Sequence, residues 1–86
     1  MRFEMELRNL RRSLVMGFLM QAGGEPSGEL SVNGEGWNAR LEGMEPARIG
    51  PAIPIRRDML IIEGDDPAVV TPVYDFMRKN MIRGGG

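Results

Sequence analysis

Three arginines in one short segment offer the most specific chemistry in this sequence. Arg48, Arg56 and Arg57 fall within residues 47–57, together with one glycine and two prolines. A guanidinium group donates paired hydrogen bonds to a carboxylate or phosphate, and a stiff backbone would hold several such groups in place. One hypothesis is therefore an anion-binding site. The simpler interpretation, which we adopt, is an extended connector whose three isoleucines pack on the core.

The residues that most often carry out catalysis are missing. The 86-residue sequence contains no histidine, no cysteine and a single lysine, Lys79. The commonest general base and the commonest nucleophile are therefore absent, and Ser13, Ser27, Ser31 and Thr71 have no imidazole to activate them. We predict a non-enzymatic protein without catalytic residues and without a cofactor.

Acidic side chains are the main metal ligands that remain, and one group of them follows an apolar run. Glu63, Asp65 and Asp66 offer oxygen atoms of the kind that bind Mg²⁺ or Ca²⁺. Their spacing lacks the alternation of a calcium-binding loop, and Asp66 followed by Pro67 is a common start of a helix. Because zinc sites also need His or Cys in most proteins, we predict no metal site.

The sequence ends in Arg83 followed by three glycines, which resembles the Gly-Gly tails of ubiquitin-like modifiers and sulfur carriers. In that family the tail follows a final β-strand, whereas here a helical pattern runs to Ile82. We therefore interpret the glycines as the end of a helix and a flexible tail over residues 84–86, and transfer no function from the resemblance.

The first half of the chain predicts a strand followed by a helix. Residues 2–8 alternate between apolar and charged side chains, which is typical of a strand with one buried face. Asn9 is then expected to cap a helix over residues 10–22 that ends at two glycines. A strand over residues 13–21 is the alternative, since Gly17 weakens a helix. We choose the helix because the apolar run is too long for an ordinary strand.

A hairpin is predicted after a loop. Pairing Val32 with Trp37 and Leu30 with Ala39 places these four apolar side chains on one face of the hairpin. The turn then lies at Gly34-Glu35, where a glycine in the first position suits a type II′ turn.

The second half of the chain predicts an irregular segment, a buried strand and a helix. Glycines and prolines in residues 43–57 disfavour a central strand. The continuous apolar run 59–62 is typical of an interior strand covered on both faces. A helix is expected to start at Asp66-Pro67, although Pro72 would allow its first turn to be separate, with Thr71 as the cap.

These elements add up to one small α+β domain over residues 1–83. We predict a two-layer β-α-β-β-β-α arrangement in which two helices cover one face of a mainly antiparallel, four-stranded sheet. A net charge of −1 argues against nucleic acid as a partner. The sequence has no apolar run long enough for a membrane span and no signal-peptide pattern, so we expect a cytoplasmic protein. Its bias from lysine to arginine is consistent with a thermophilic source.

Two apolar surfaces exceed what one layer of helices can cover. Helix 10–22 is apolar nearly all round, and the run 59–62 is apolar on both faces although its neighbours have a polar face. We predict an interaction or regulatory module that buries the excess in a homodimer, or against an unidentified protein. The alternative is that residues 46–57 fold over the patch. The predicted interface residues are Met16, Gly17, Met20, Met59 and Ile61.

Overall fold

A five-stranded antiparallel sheet forms one layer of the fold, and two helices on one of its faces form the other. The computed structural model describes residues 1–49 and 53–84, and the side chains of residues 1–47 and 53–81. This is the predicted α+β class, with one strand more than expected. The elements in chain order are β1 (Arg2–Arg8), α1 (Arg12–Gln21), β2 (Glu25–Gly28), β3 (Ser31–Gly34), β4 (Trp37–Ile49), β5 (Ile53–Glu63) and α2 (Pro67–Gly84).

The strand order across the sheet is β1-β5-β4-β3-β2, and each neighbouring pair is antiparallel. The additional strand is β2, which falls in the segment predicted to be a loop. Pro26 is tolerated there because β2 is an edge strand, where a missing N–H group leaves no interior ladder broken. The longest pairing joins β4 to β5, so the apolar run of β5 lies in an interior strand between β1 and β4.

The core lies between the two helices and the sheet face that they cover. Leu60 and Ile62 of β5 are 0% and 1% exposed, and Val15 and Leu19 of α1 pack above the sheet. Two pairs of aromatic rings pack in this region, one between the sheet and α2 and one between the two helices. Phe3 of β1 stacks on Tyr74 of α2 with ring centroids 4.2 Å apart, and Phe18 meets Phe76 edge-on between the helices at 6.4 Å.

The helix predicted over residues 10–22 is confirmed as α1, Arg12–Gln21, but the predicted cap at Asn9 is wrong. Asn9 has a left-handed φ of 55°, and its amide donates a hydrogen bond to the carbonyl of Arg56 at 2.9 Å. It therefore ends the pairing of β1 with β5 instead of starting α1. The residue at the cap position is Arg11, which makes no side-chain hydrogen bond to the helix.

The predicted end of α1 and the predicted start of α2 agree with the structure. α2 itself runs to Gly84, the first residue of the predicted tail, and the rest of that tail lies outside the described residues. Gly23, with φ at 108°, closes α1 in the conformation that glycine adopts without strain. Asp66 accepts a hydrogen bond from the amide of Ala68 at 2.9 Å and so caps α2. Because α2 is continuous, the alternative start at Thr71 is wrong, and Pro72 lies inside the helix. Neither helix of the described chain is long and apolar enough to cross a membrane.

The β3–β4 hairpin forms, but its predicted register is wrong by two residues. Gly34, not Val32, pairs with Trp37, and Val32 pairs with Ala39 across a turn in which Gly36 has a φ of 83°. A shift of two residues keeps the same side chains buried, so the alternation pattern cannot distinguish the registers. In the observed register the indole of Trp37 lies against Gly34, where a Cβ atom would be 2.0 Å from Cε2 of the ring.

The prediction of an irregular segment over residues 43–57 is also wrong, because β4 and β5 stay paired through most of it. One irregularity interrupts their pairing, between Met44 and Ala47. Pro46 falls inside this bulge, and Pro54 lies beyond the end of β1, where β5 is an edge strand. Each proline therefore occupies a place in the sheet where a missing N–H group is tolerated.

The paired ends of β4 and β5, residues 44–49 and 53–56, extend past the other strands as a two-stranded ribbon, which we call the arm. β1 ends opposite Arg57, and β3 ends opposite Arg40. Beyond these points the ladder runs only between β4 and β5. The arm thus continues the two strands and does not form the irregular cover that we considered for residues 46–57.

Candidate functional site

The structure does not bring together the three arginines that were predicted to bind an anion. Arg56 and Arg57 are consecutive in β5, so their side chains lie on opposite faces of the sheet. Arg56 reaches the start of α1, and Arg57 reaches β1 on the face without helices, which we call the open face. Arg48 pairs with Pro54 at the far part of the arm, and its side chain lies outside the described residues.

On the open face, Arg57 is engaged with neighbouring strands. Its Nη1 donates a hydrogen bond to Glu6 at 3.1 Å, and its Nε donates to the carbonyl of Glu45 at 2.8 Å. Arg8 binds the other carboxylate oxygen of Glu6. The hydrogen bond from Arg8, followed by the contribution of Arg57, holds the pKa of Glu6 below its ordinary value. Arg57 therefore fastens the base of the arm to β1.

The rest of the open face carries a network of paired charges. Arg40 forms ion pairs with Glu63 on β5 and with Glu42 on its own strand. The Nη2 atom of Arg2 lies 2.7 Å from Oε2 of Glu4. The hydrogen bond from Arg40 holds the pKa of Glu63 below its ordinary value. We refer to four arginines and four glutamates as the charge network: Arg2, Arg8, Arg40, Arg57, Glu4, Glu6, Glu42 and Glu63.

Acid should weaken the fold through this network. A carboxyl group whose pKa is lowered by folding stabilises the folded state above its unfolded pKa, and that stability is lost as the pH falls through the lowered value. For Glu6 and Glu63 we therefore expect the urea midpoint to be flat near neutral pH and to drop below about pH 4. A Glu6→Gln, Glu63→Gln variant should show a shallower drop. An identical pH profile in both proteins would contradict the assignment.

The charge network covers Ile61. This side chain is on the open face, yet it is only 1% exposed, and its neighbours across the sheet are Glu4 and Arg40. The aliphatic stems of long charged residues cover apolar surface while their charged ends stay in water. Met59, on the same face, is partly buried. Met59 and Ile61 therefore do not form the exposed apolar strip that we predicted, because their own neighbours cover it.

The predicted interface residues of α1 are more accessible. Met20 is 45% exposed, and Met16 and Gly17 are partly buried. Leu14 is the other exposed large apolar residue of α1, at 41%. Six residues of an α-helix separate Leu14 and Met20 by roughly 120° around the axis. The two side chains therefore do not join into one continuous patch.

The arm offers a different apolar surface. Ile53 is 64% exposed, more than any other large apolar side chain that the structure describes. Alternation along β5 places Ile53 and Ile55 on the open face, and Ile55 pairs with Ala47 across the ribbon. A two-stranded ribbon without a third element is marginally stable in water. This surface was not predicted, because the isoleucines of residues 47–57 were expected to pack on the core, although two isoleucines at a spacing of two are an ordinary signal of a strand.

On the helix side of the arm's base, one buried carboxylate holds two guanidinium groups. The Asp58 side chain is 5% exposed. Arg12 of α1 donates to its Oδ1 from Nη2 at 2.8 Å and from Nε at 3.2 Å, which raises the pKa of Arg12. The Nε of Arg56 lies 3.8 Å from Oδ2, and its Nη2 donates to the carbonyl of Leu10 at 2.7 Å. We call Arg12, Asp58 and Arg56 the Asp58 triad.

Two of the acidic residues considered as metal ligands, at the other end of β5, have structural roles. Glu63 belongs to the charge network, and Asp66 caps α2. Within residues 1–49 and 53–84, no three acidic side chains come together in a way that could hold a metal ion. The candidate sites are therefore the arm and the Asp58 triad.

Comparison with models of known protein families gives one match. A family model described as archaeal MoaD-like protein matches residues 3–86. The match spans both layers of the fold, from β1 through α2, and so includes the arm and the Asp58 triad. A comparison with curated proteins finds no match.

Proposed function

The chain belongs to the archaeal MoaD-like family, and we propose that it is a non-enzymatic interaction module that forms a homodimer through the arm. The observation that carries this proposal is the exposure of Ile53, at 64%, on a ribbon whose ladder joins only β4 and β5. Burying an isoleucine of this kind contributes about 1.5–3 kcal/mol. A two-fold dimer would bury it on both chains.

The edges of the arm are poorly suited to adding another strand. Strand addition needs a row of free N–H and C=O groups along an edge. Pro46 on β4 and Pro54 on β5 each lack the N–H group, and proline on an edge strand is a common protection against such pairing. The open face of the arm, with Ile53 and Ile55, is therefore the surface that we assign to the interface.

A second copy of this chain is the partner that the charges favour. The open face next to the arm carries four arginines and four glutamates that pair within the chain, so the face has no net charge. A strongly acidic or basic partner would gain little from it. In a two-fold interface the same patch meets itself, so Ile53 and Ile55 of one arm would face those of the other.

Sedimentation equilibrium at micromolar concentration tests this proposal. We expect a mass near twice 9.6 kDa for the wild type. Ile53→Glu should give a folded monomer, because the side chain is exposed in the single chain and its charge would be buried only in the dimer. Met20→Glu, at a similarly exposed position on α1, is the matched control and should remain dimeric.

Two results would contradict the arm as the interface. A wild-type mass near 9.6 kDa would exclude the homodimer at that concentration. Dissociation by Met20→Glu but not by Ile53→Glu would place the interface on α1. The interface residues predicted there are Met16, Gly17 and Met20.

A further inference from the structure

We propose that the helix side of the arm's base binds a small organic phosphate through the Asp58 triad and the start of α1. The first observation is that the hydrogen bonds of the triad do not use every N–H group of its two arginines. The hydrogen bonds of Arg12 use Nε and Nη2, and that of Arg56 uses Nη2, so the Nη1 group of each remains for a ligand. Both guanidinium groups are also fixed in place, which lowers the entropic cost of binding.

The second observation is the charge of the triad. Two guanidinium groups share one carboxylate, and the arginine side chains are 37% and 52% exposed while the Asp58 side chain is 5% exposed. The carboxylate is thus committed to the interior, and the positive charge faces the solvent. Glu29 is the other acid that acts on Arg12, from an exposed position where water screens it. One unit of positive charge remains at this surface for an anion.

The third observation is a hollow beside the triad. It is open to the solvent, and its volume is about 500 Å³. Arg56 binds the carbonyl of Leu10, which is one of the lining residues, and Leu14, 41% exposed, gives the hollow an apolar wall. The hollow therefore fits an anion that carries an apolar group. The lining residues are Asn9, Leu10, Arg11, Ser13 and Leu14.

The ends of the chain's own elements increase the positive potential there. α1 begins at this hollow with no side-chain cap and no acidic residue in its first turn. The N-terminal end of a helix carries a partial positive charge, and Arg11 adds a full one. A phosphate monoester, with up to two negative charges, matches this surface better than a neutral ligand does.

The test is a calorimetric titration with phenyl phosphate of wild type, Arg56→Gln and Arg57→Gln. Arg57→Gln is the matched control for Arg56→Gln, because the two variants remove the same charge from consecutive residues on opposite faces of β5. We expect Arg56→Gln to raise Kd about tenfold, the effect of one charge-assisted hydrogen bond. Arg57→Gln should leave Kd within about twofold, because Arg57 lies on the open face, where it binds Glu6 and Glu45 and does not contact the proposed site.

A third variant keeps the test decisive if Arg56→Gln is unstable. Arg11→Gln changes an exposed lining residue outside the triad, so Kd should rise severalfold while the melting temperature stays the same. Equal loss in Arg56→Gln and Arg57→Gln, or no loss in Arg11→Gln, would overturn the proposal. So would binding of inorganic phosphate as tightly as phenyl phosphate. The monomeric Ile53→Glu variant should bind phenyl phosphate like the wild type. The phosphate site and the homodimer can therefore be tested separately.

Discussion

Trp37→Ala is expected to lower the free energy of unfolding by about 3–5 kcal/mol, the usual cost of removing a large core side chain. Trp37 is 7% exposed, and its indole fills a slot between glycines from two other parts of the chain. A Cβ atom on Gly34 would lie 2.0 Å from the indole, and one on Gly24 would lie 3.0 Å from it. Because small domains are stable by only about 5–15 kcal/mol, this loss should be evident in urea unfolding.

A double-mutant cycle tests whether the indole packs against Gly34 as closely as the observed register requires. Gly34→Ala should cost about 1–3 kcal/mol or more in the wild type, because its Cβ atom would overlap a rigid ring. In a Trp37→Ala background the same change should cost little, since the ring is gone. Strictly additive costs would mean that Trp37 does not pack against Gly34, which would contradict the observed register.

A glycine far from the indole provides the control. A Cβ atom on Gly17 of α1 would meet no atom within 4 Å. Gly17→Ala should therefore stabilise the helix by about 0.5–1 kcal/mol, with or without Trp37. If Gly17→Ala is instead destabilising in concentrated protein only, the cause would be a second chain packed against α1.

The parts of the fold that follow local patterns were predictable. The alternation of residues 2–8 gave β1 and its charged face, and the two glycines after residue 22 gave the end of α1. Asp66 with Pro67 gave the start of α2. Each of these signals lies within one turn or one strand, so no long-range information is needed to interpret it.

The errors have physical causes of longer range. The observed register places Trp37 against Gly34, and period-two alternation cannot distinguish it from a register shifted by two residues. The arm was mistaken for a loop because prolines disfavour central strands, whereas a bulge accepts Pro46. The Asp58 triad joins Arg12 to Asp58 across 46 residues of sequence, and no local motif marks that pairing.

The excess of apolar residues on β5 was one of two reasons to predict a dimer, and Ile61 shows why that argument was incomplete. Its side chain is covered by charged neighbours on the adjacent strands, so a single chain already buries it. Ile61→Ala should then cost about 2–5 kcal/mol, as at a core position, although its strand face carries no helix. An ordinary surface change costs less than about 0.5 kcal/mol.

Protein concentration separates burial by the charge network from burial by a second chain. If the charge network buries Ile61, the cost of Ile61→Ala should be the same at all protein concentrations and in the monomeric Ile53→Glu background. If a second chain buries it, the cost should shrink on dilution, since the stability of a dimer depends on concentration. Met59→Ala, a partly buried position on the same face, is the matched control and should cost less. A concentration-dependent cost at Ile61 would place this part of the open face, and not the arm alone, inside the interface.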